Sequence, residues 1–210
     1  RWLEKKKVIL HKKNFFKRLF WQYFILSKKA KLLKCDILLI PGGSYVGNFS
    51  PTVIMSRNML PFEYSELFRY GFSFMTIRLL LLRFVQKISF KRADGLIFLS
   101  NYAKDNVLKV LGDYNAKTNI IPHGVNKIFY QKVKKQKPIK SFSLNSPFRL
   151  IYVSIIDVYK HQCSVAKAIS ILRKKSIPIT IDFIGPFYKP YLKKFHKTVN
   201  HIDPNNEFIN

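Results

Sequence analysis

Short apolar runs alternate along the chain with longer segments in which apolar residues recur every three or four positions. The apolar or β-branched runs lie at residues 37–40, 52–55, 95–99, 119–121, 149–153 and 179–184. Helical spacing is clearest after the second run, in a long segment interpreted as an amphipathic helix, where the recurring residues are Phe74, Ile77, Leu81, Phe84, Val85 and Ile88. This alternation predicts an α/β protein in which helices cover both faces of parallel sheets.

Four more helical segments complete the pattern. They are predicted to end at 28–34, to run over 101–111 and 161–174, and to begin near 191. Ser100 stands directly before the helix at 101–111, where a serine hydroxyl can accept a hydrogen bond from the first turn. Strands and helices therefore follow one another along most of the chain.

A change in composition divides the chain into two parts. Residues 127–140 contain six lysines and no acidic residue, and residues 141–147 continue in polar, turn-forming types. This composition predicts an inter-domain linker that begins near 127 and ends with 141–146. The predicted domains are 1–140 and 147–210. Because the chain starts at Arg1 and stops inside a polar stretch, we expect both domains to be incomplete.

Glycine loops follow two of the strands predicted for the first domain. Pro41-Gly42-Gly43 ends one run, and Pro122-His123-Gly124 ends another. Gly42 and Gly43 either admit a ligand close to the backbone or simply turn the chain. His123 either faces a ligand cleft or is an ordinary loop residue.

The formal net charge of +27 suggests an anionic partner, either nucleic acid or membrane lipid. Of the 38 basic residues, 29 are Lys and nine are Arg. Base recognition favours the bidentate Arg side chain, so we expect no nucleic-acid partner. Codon usage in an AT-rich gene would also enrich Lys, and it explains part of the charge equally well.

Residues 1–34 are the most basic part of the chain, with twelve Lys or Arg against one acid, Glu4. Large apolar residues are interleaved with these charges: Trp2, Phe15, Phe16, Leu19, Phe20, Trp21, Tyr23 and Phe24. This mixture is typical of a contact with an anionic membrane surface. The alternative is a helix that packs its aromatic side in the core and leaves its lysines in water.

The two cysteines give no sign of a metal site or a disulfide framework. Cys35 and Cys163 are far apart in the sequence and neither belongs to a CxxC pair. Both are interpreted as reduced thiols in the core of a cytosolic protein. The longest uncharged stretch, 37–56, is interrupted by Gly and Pro and does not predict a membrane-spanning helix.

Two segments of the first domain resemble motifs of a known family. Residues 93–100 read Ala-Asp-Gly-Leu-Ile-Phe-Leu-Ser, and residues 117–125 read Lys-Thr-Asn-Ile-Ile-Pro-His-Gly-Val. They are similar to the end of the first domain in the group 1 glycosyltransferases, which are family 4-like retaining enzymes. In that family the pattern AD-x-(I/V)-(I/V)-x-x-S precedes K-x-x-(I/V)-(I/V)-P-x-G-(V/I).

The second domain shows a similar likeness. Residues 149–154, Lys160, 166–172 and 181–185 resemble the opening of the family's donor domain: a strand, a turn, a phosphate-facing lysine, a helix, and a strand that ends in glycine. Pro41-Gly42-Gly43 and the hexapeptide at 56–61 also match. Each motif is weak alone, and the resemblance rests on their order and spacing over nearly the whole chain.

The resemblance implies a GT-B fold, in which two Rossmann-like, doubly wound parallel-sheet domains face each other, here with the second truncated. It implies transfer of a hexose-type sugar, with retention, from a nucleotide-sugar to a saccharide or lipid-linked acceptor in bacterial surface-polysaccharide assembly, of the O-antigen, lipopolysaccharide or capsule type. Lys160 and Ser154 would bind the donor diphosphate without a metal or other cofactor. The acceptor cleft would contain Gly42, Gly43, Arg57, Asn58 and His123.

The chain departs from the family pattern at four of these positions. Ser154 and Ile155 stand where the family usually has Gly and Arg, so half of the diphosphate clamp is missing. Arg57 stands where many relatives have His, and Asn58 replaces an acid. Arg57 could bind an acceptor phosphate or pair with Glu63.

The family's later donor segment, which carries two glutamates, is expected beyond Asn210, so this fragment alone should be inactive. We expect a cytoplasmic protein, or a peripheral one on the inner face of the cytoplasmic membrane through 1–34. The alternative is a non-catalytic basic protein that binds anionic lipid or nucleic acid. Lys160 in its strand–turn–helix setting favours the enzyme.

Overall fold

The computed structural model describes residues 20–133 and 135–210, and it divides the chain into two units. The first unit ends at Val125 and the second begins at Asn126. Each contains a parallel sheet with helices between its strands, which confirms the α/β class. The GT-B arrangement and the domain limits at 140 and 147 stay predictions.

The first unit contains four parallel strands in the spatial order β1-β2-β3-β4. The strands are β1 (Leu38–Ile40), β2 (Thr52–Ser56), β3 (Gly95–Phe98) and β4 (Lys117–Ile120). Its helices are a π-helical segment (Trp21–Leu26), α1 (Ser27–Leu32), α2 (Tyr64–Phe68), α3 (Phe74–Lys91) and α4 (Asn101–Leu111). The strands and long helices lie close to their predicted positions, and the Ser100 hydroxyl caps α4 by accepting from the Ala103 N–H, as expected.

The core of the first unit lies where helices cover the sheet. Ile54, Leu96 and Phe98 from the strands meet Phe90 of α3 and Val107 of α4, and all five are almost fully buried. Burying a large apolar side chain contributes roughly 1.5–3 kcal/mol, so these five residues together stabilise the unit substantially.

Buried polar groups hold the long loop between β1 and β2. The Tyr45 hydroxyl lies 2.9 Å from the Ser27 hydroxyl of α1 and accepts from the Phe49 N–H at 3.1 Å. The Ser89 hydroxyl of α3 accepts from the Tyr45 N–H at 3.0 Å and bonds to the Tyr45 carbonyl at 3.0 Å. Tyr45 therefore connects α1, the loop and α3.

Asp94, which belongs to the first family-like motif, has a structural role. Its carboxylate accepts from the Thr52 N–H at 2.7 Å and from the Ser50 hydroxyl. These bonds, with the Thr52 N–H as the largest cause, hold the pKa of Asp94 below its ordinary value. The side chain thus fixes the entry into β2 from the adjacent β3.

Helix α3 lies where it was predicted, but the apolar side of the helix faces solvent. An amphipathic helix ordinarily turns its apolar side to the core. Here Phe74 is 82% exposed, Ile77 58% and Phe84 64%. The buried side of α3 is largely polar and consists of Thr76, Leu79, Gln86, Ser89 and Phe90.

The second unit is built on two parallel strands, β5 (Phe148–Val153) and β6 (Ile179–Ile184). The helices α5 (Gln162–Lys174) and α6 (Lys189–Ile202) follow them, close to the predicted starts. Residues 208–210 run parallel to β6 in an isolated bridge, in which the Ile181 N–H donates to the Phe208 carbonyl and the Phe183 N–H to the Asn210 carbonyl.

Two carboxylates fasten this end of the chain. Asp203 is buried and accepts from the backbone N–H groups of Glu207, Phe208 and Ile209 at 2.8–2.9 Å. Asp182 on β6 accepts from the Asn210 amide at 2.8 Å, and this bond is the main reason its pKa is lowered.

Residues 126–146 contain two short 3-10 turns, Lys127–Phe129 and Ile139–Ser141, apart from position 134, which lies outside the description. Their described side chains are almost all exposed. Cys35 is exposed because it lies in the turn after α1, so its assignment to the core was wrong, whereas Cys163 is partly buried.

Of the basic segment 1–34, residues 1–19 lie outside the described residues. In the described part, Phe20, Tyr23 and Phe24 are exposed and their rings contact one another. These three rings do not enter the core. No helix within 20–133 or 135–210 combines the length and apolar character needed to cross a bilayer.

We expect Asp94→Ala to lower the free energy of unfolding by about 1–2 kcal/mol near neutral pH, because hydrogen bonds to an ionised carboxylate are lost. The folded-state pKa lies below the ordinary 3.8, so the contribution is complete above 3.8 and is lost as the pH falls through the folded-state pKa. Urea unfolding of the wild type and the variant, at pH values from neutral to below 3.8, measures this contribution to the free energy of unfolding. Asp113→Ala, which removes an exposed loop carboxylate, is the control. Equal losses in both variants would contradict the assigned role.

Candidate functional site

The predicted acceptor residues all lie at one edge of the first sheet. Because β1 to β4 are parallel, their carboxyl ends share that edge. Gly42 and Gly43 follow β1, Arg57 and Asn58 follow β2, and His123 follows β4. In open α/β sheets this is the edge at which ligands bind.

Gly43 is required at its position by two features. Its φ of +74° belongs to the left-handed region. A Cβ there would also lie 2.6 Å from Nε2 of the Gln86 amide. In contrast, a Cβ at Gly42 would meet no atom within 4 Å. Gly43 therefore turns the chain and lets α3 approach, whereas Gly42 leaves open space beside the backbone.

Three buried polar atoms near this edge have no hydrogen-bond partner among the described residues. They are Oγ of Ser44, Oγ of Ser56 and Oε1 of Gln86. Ser56 ends β2 and Gln86 lies against Gly43, and both side chains are at least nine-tenths buried. Buried polar atoms almost always have a partner, so these three are candidate acceptors for a hydrogen bond from water or from a hydroxyl-bearing ligand. Sequence patterns gave no signal for them.

The other candidate acceptor residues differ in whether their side chains have hydrogen-bond or ion-pair partners. Arg57 is exposed and has no ion-pair or hydrogen-bond partner among the described residues, so the pairing with Glu63 does not form. Glu63 instead accepts a hydrogen bond from Tyr102. The Asn58 side chain accepts from the Leu60 N–H at 3.1 Å and shapes the turn after β2. His123 is exposed in the loop after β4.

The predicted donor residues lie at the carboxyl edge of the second sheet. Pairing continues beyond β5 and β6, because the Ser154 N–H donates to the Ile184 carbonyl and the Ile156 N–H to the Pro186 carbonyl. At Gly185 the two segments touch, and a Cβ there would lie 2.1 Å from the Ser154 carbonyl oxygen. The glycine that ends β6 is thus required by the backbone of the donor turn.

Asp157 and Tyr152 fix the turn that carries Lys160. The buried Asp157 accepts from the Val158 N–H at 2.7 Å and begins a 3-10 turn, Val158–Lys160. The Tyr152 hydroxyl donates to the Lys160 carbonyl at 2.8 Å. The Lys160 ammonium lies 4.8 Å from the centre of the Tyr159 ring, and no carboxylate pairs with it among the described residues.

Gln162 joins this turn to α5. Its side chain is almost completely buried, donates to the Ile155 carbonyl at 2.7 Å and accepts from the Asp157 N–H. His161 precedes it in the left-handed region and gives the helix no side-chain cap. The N-terminus of α5, with its partial positive charge, therefore begins two residues after Lys160. Sequence reasoning missed Asp157 and Gln162, whose partners lie in the same loop.

The candidate residues in the described part of the chain form no metal-binding group. No group of three His, Cys, Asp or Glu side chains within 20–133 and 135–210 could hold a metal ion. A cavity of about 280 Å³ lies in the first unit beside Ser50 and Thr52, at the amino end of β2. The candidate acceptor residues follow the opposite end of that strand.

No protein-family model matches the chain, and no curated protein matches its sequence. The likeness to group 1 glycosyltransferases therefore rests on the motifs and their placement.

We expect Gly185→Ala to lower the free energy of unfolding of the second unit by at least about 2 kcal/mol, because the new Cβ would overlap the Ser154 carbonyl. Gly124→Ala is the matched control, since a Cβ there meets nothing within 4 Å. Urea unfolding followed by circular dichroism measures both. A Gly185→Ala variant as stable as Gly124→Ala would show that the two loops are not in contact.

Proposed function

We propose that this chain is part of a glycosyltransferase of the GT-B type, which moves a hexose-type sugar from a nucleotide-sugar to a saccharide or lipid-linked acceptor. The observation that carries the proposal is the position of Lys160. It follows the first strand of the second unit, in a turn fixed by Asp157 and Tyr152, directly before an uncapped helix.

This arrangement suits a diphosphate leaving group. Negative charge grows on the diphosphate as the glycosidic bond breaks, and a cation or helix N-terminus beside it lowers the energy of that state. The Lys160 ammonium has no competing carboxylate among the described residues, and α5 is thirteen residues long. Two positive groups therefore stand next to each other at the carboxyl edge of β5.

The departures from the family pattern increase the demand on Lys160. Ile155 occupies the position of the family's Arg, and its carbonyl is held by Gln162. Ser154, in place of Gly, has its hydroxyl 3.3 Å from the Ile155 carbonyl. The Ile155 carbonyl is thus held inside the turn, and Lys160 stands without the second cation that the family pattern would supply.

The first unit supports the acceptor role through open and unpartnered groups at its carboxyl edge. Gly42 leaves space beside the backbone, Arg57 is free to bind an anion, and Ser44, Ser56 and Gln86 have unpaired oxygens. Sugars present many hydroxyls, which satisfy such oxygens by donating hydrogen bonds. Arg57 suits a phosphate of a lipid-linked acceptor.

The proposed setting is bacterial surface-polysaccharide assembly, with the protein in the cytoplasm or on the inner face of the cytoplasmic membrane. The second candidate is a non-catalytic protein that binds anionic lipid, which the net charge of +27 favours. A lipid-binding protein has no need for a lysine held at a strand–turn–helix junction, and nucleotide binding distinguishes the two.

In the complete enzyme, Lys160→Ala should lower kcat/KM by roughly 100-fold, because the charge that forms in the transition state loses its only side-chain cation in this turn. Lys160→Arg should recover part of the loss. Turnover is measured as nucleotide release with a panel of nucleotide-sugars. EDTA should have little effect if Lys160 and α5 supply the positive charge.

Lys167→Ala is the matched control, since this exposed lysine lies on α5 away from the turn. It should retain turnover. Near-normal kcat/KM in Lys160→Ala would show that the donor phosphates bind elsewhere, and loss of activity with EDTA would contradict metal-free transfer. Failure of the complete protein to bind any nucleoside diphosphate would favour the lipid-binding alternative.

A further inference from the structure

The outer side of α3 carries a row of exposed apolar side chains. Its members are separated by three or four residues and so line one side of the helix: Phe74, Ile77, Leu81, Phe84 and Ile88. The exposed fractions run from 39% at Ile88 to 82% at Phe74. We name this row the α3 stripe. Exposed apolar area of this extent ordinarily marks a binding surface.

Aromatic side chains extend the stripe at the start of α3. Phe72 lies two residues before the helix, next to its N-cap Ser73, and is fully exposed. Phe68 is 57% exposed and stacks on Tyr64, with 6.0 Å between the ring centres. Helices that lie at the boundary of a membrane typically carry Trp, Phe and Leu on their apolar side.

Cations flank the stripe, and α3 has no acidic residue. At 100° per residue, Arg78 lies on one side of the stripe, and Lys87 and Lys91 lie on the other. None of the three has a partner among the described residues. The fourth cation is engaged, because Arg83 donates to the Pro61 carbonyl and stacks on Tyr64 at 4.1 Å.

The apolar row and its flanking cations together indicate which kind of partner could cover the α3 stripe. A second copy of the chain would bring another surface rich in unpaired cations against the same cations, at a net charge of +27 per chain. An anionic bilayer accepts both parts, since apolar side chains enter the headgroup boundary and Lys and Arg bind the lipid phosphates.

A second exposed apolar group belongs to the same unit. Phe20, Tyr23 and Phe24 precede Ser27, and Tyr45 joins Ser27 to Ser89 of α3 through hydrogen bonds. The first unit thus offers a membrane more than one group of apolar side chains.

We propose that the α3 stripe docks the first unit on an anionic lipid membrane. Its apolar side chains enter the headgroup boundary, and Arg78, Lys87 and Lys91 bind the lipid phosphates. The inference does not depend on sugar transfer, and it assigns membrane contact to a folded helix in addition to the basic segment 1–34.

The test is cosedimentation of the 210-residue chain with vesicles of phosphatidylcholine that contain about one-third phosphatidylglycerol. The triple variant Ile77→Gln, Leu81→Gln, Phe84→Gln should lower the partition coefficient by about 10-fold or more, because apolar burial is lost. The triple variant Arg78→Glu, Lys87→Glu, Lys91→Glu should lower it by a similar factor and weaken its salt dependence. Pure phosphatidylcholine should bind the wild type weakly.

The matched control replaces three exposed apolar residues of the second unit, Val133→Gln, Leu144→Gln and Ile171→Gln. It should bind within about 2-fold of the wild type, since it leaves the α3 stripe intact. Unfolding midpoints show that the variants are folded, which is expected because every altered apolar side chain is exposed.

Three outcomes would overturn the proposal. In the first, the triple glutamine variant binds the anionic vesicles as strongly as the wild type does, and binding is lost only when Lys5, Lys6, Lys12 and Lys13 are reversed in charge. Another is a wild type that does not bind anionic vesicles. The third is a dimer in sedimentation velocity that the stripe variant converts to monomers while vesicle binding is unchanged.

Discussion

Both groups of candidate residues depend on one constraint, the parallel pairing of the strands in each sheet. Each return of the chain to a parallel strand brings the next loop to the same side, so residues distant in sequence, such as Gly43 and His123, end at one edge. In the second unit this pairing continues past the strands as far as Ile156 and Phe187. The close approach at Gly185 follows from it, and so does the extended backbone that leads to Asp157 and Lys160.

Local patterns in the sequence were sufficient to predict where the strands and helices lie. They were insufficient to predict which side of each element is buried. Strand runs, the helix spacing of α3 and the Ser100 cap each depend on residues a few positions apart, and the structure confirms them. Periodicity shows that one side of a helix is apolar, but it does not show which side is buried. In α3 the buried side includes Ser89, and its partner Tyr45 lies in a loop more than 40 residues earlier in the sequence.

Some residues of the candidate site could likewise be predicted from the sequence, and others could not. Glycines and cations at strand ends are visible in the sequence, since turns have local chemistry. The unpaired oxygens of Ser44, Ser56 and Gln86 are visible only when α3 is packed against the loop after β1. Asp94 shows the reverse case. It belongs to a motif that suggests function, yet its carboxylate is used to hold the Thr52 backbone. A motif and a catalytic residue are therefore separate inferences.

The hydrogen bonds of Tyr45 have a consequence for the order of assembly during folding. They join segments 18 and 44 residues away along the chain, so the loop between β1 and β2 gains its partners only after α1 and α3 have both reached the sheet. Closing long stretches of chain costs entropy before such bonds can repay it. The loop that follows β1 is therefore expected to become ordered only after both helices are in place, later than the strands and helices whose contacts are local.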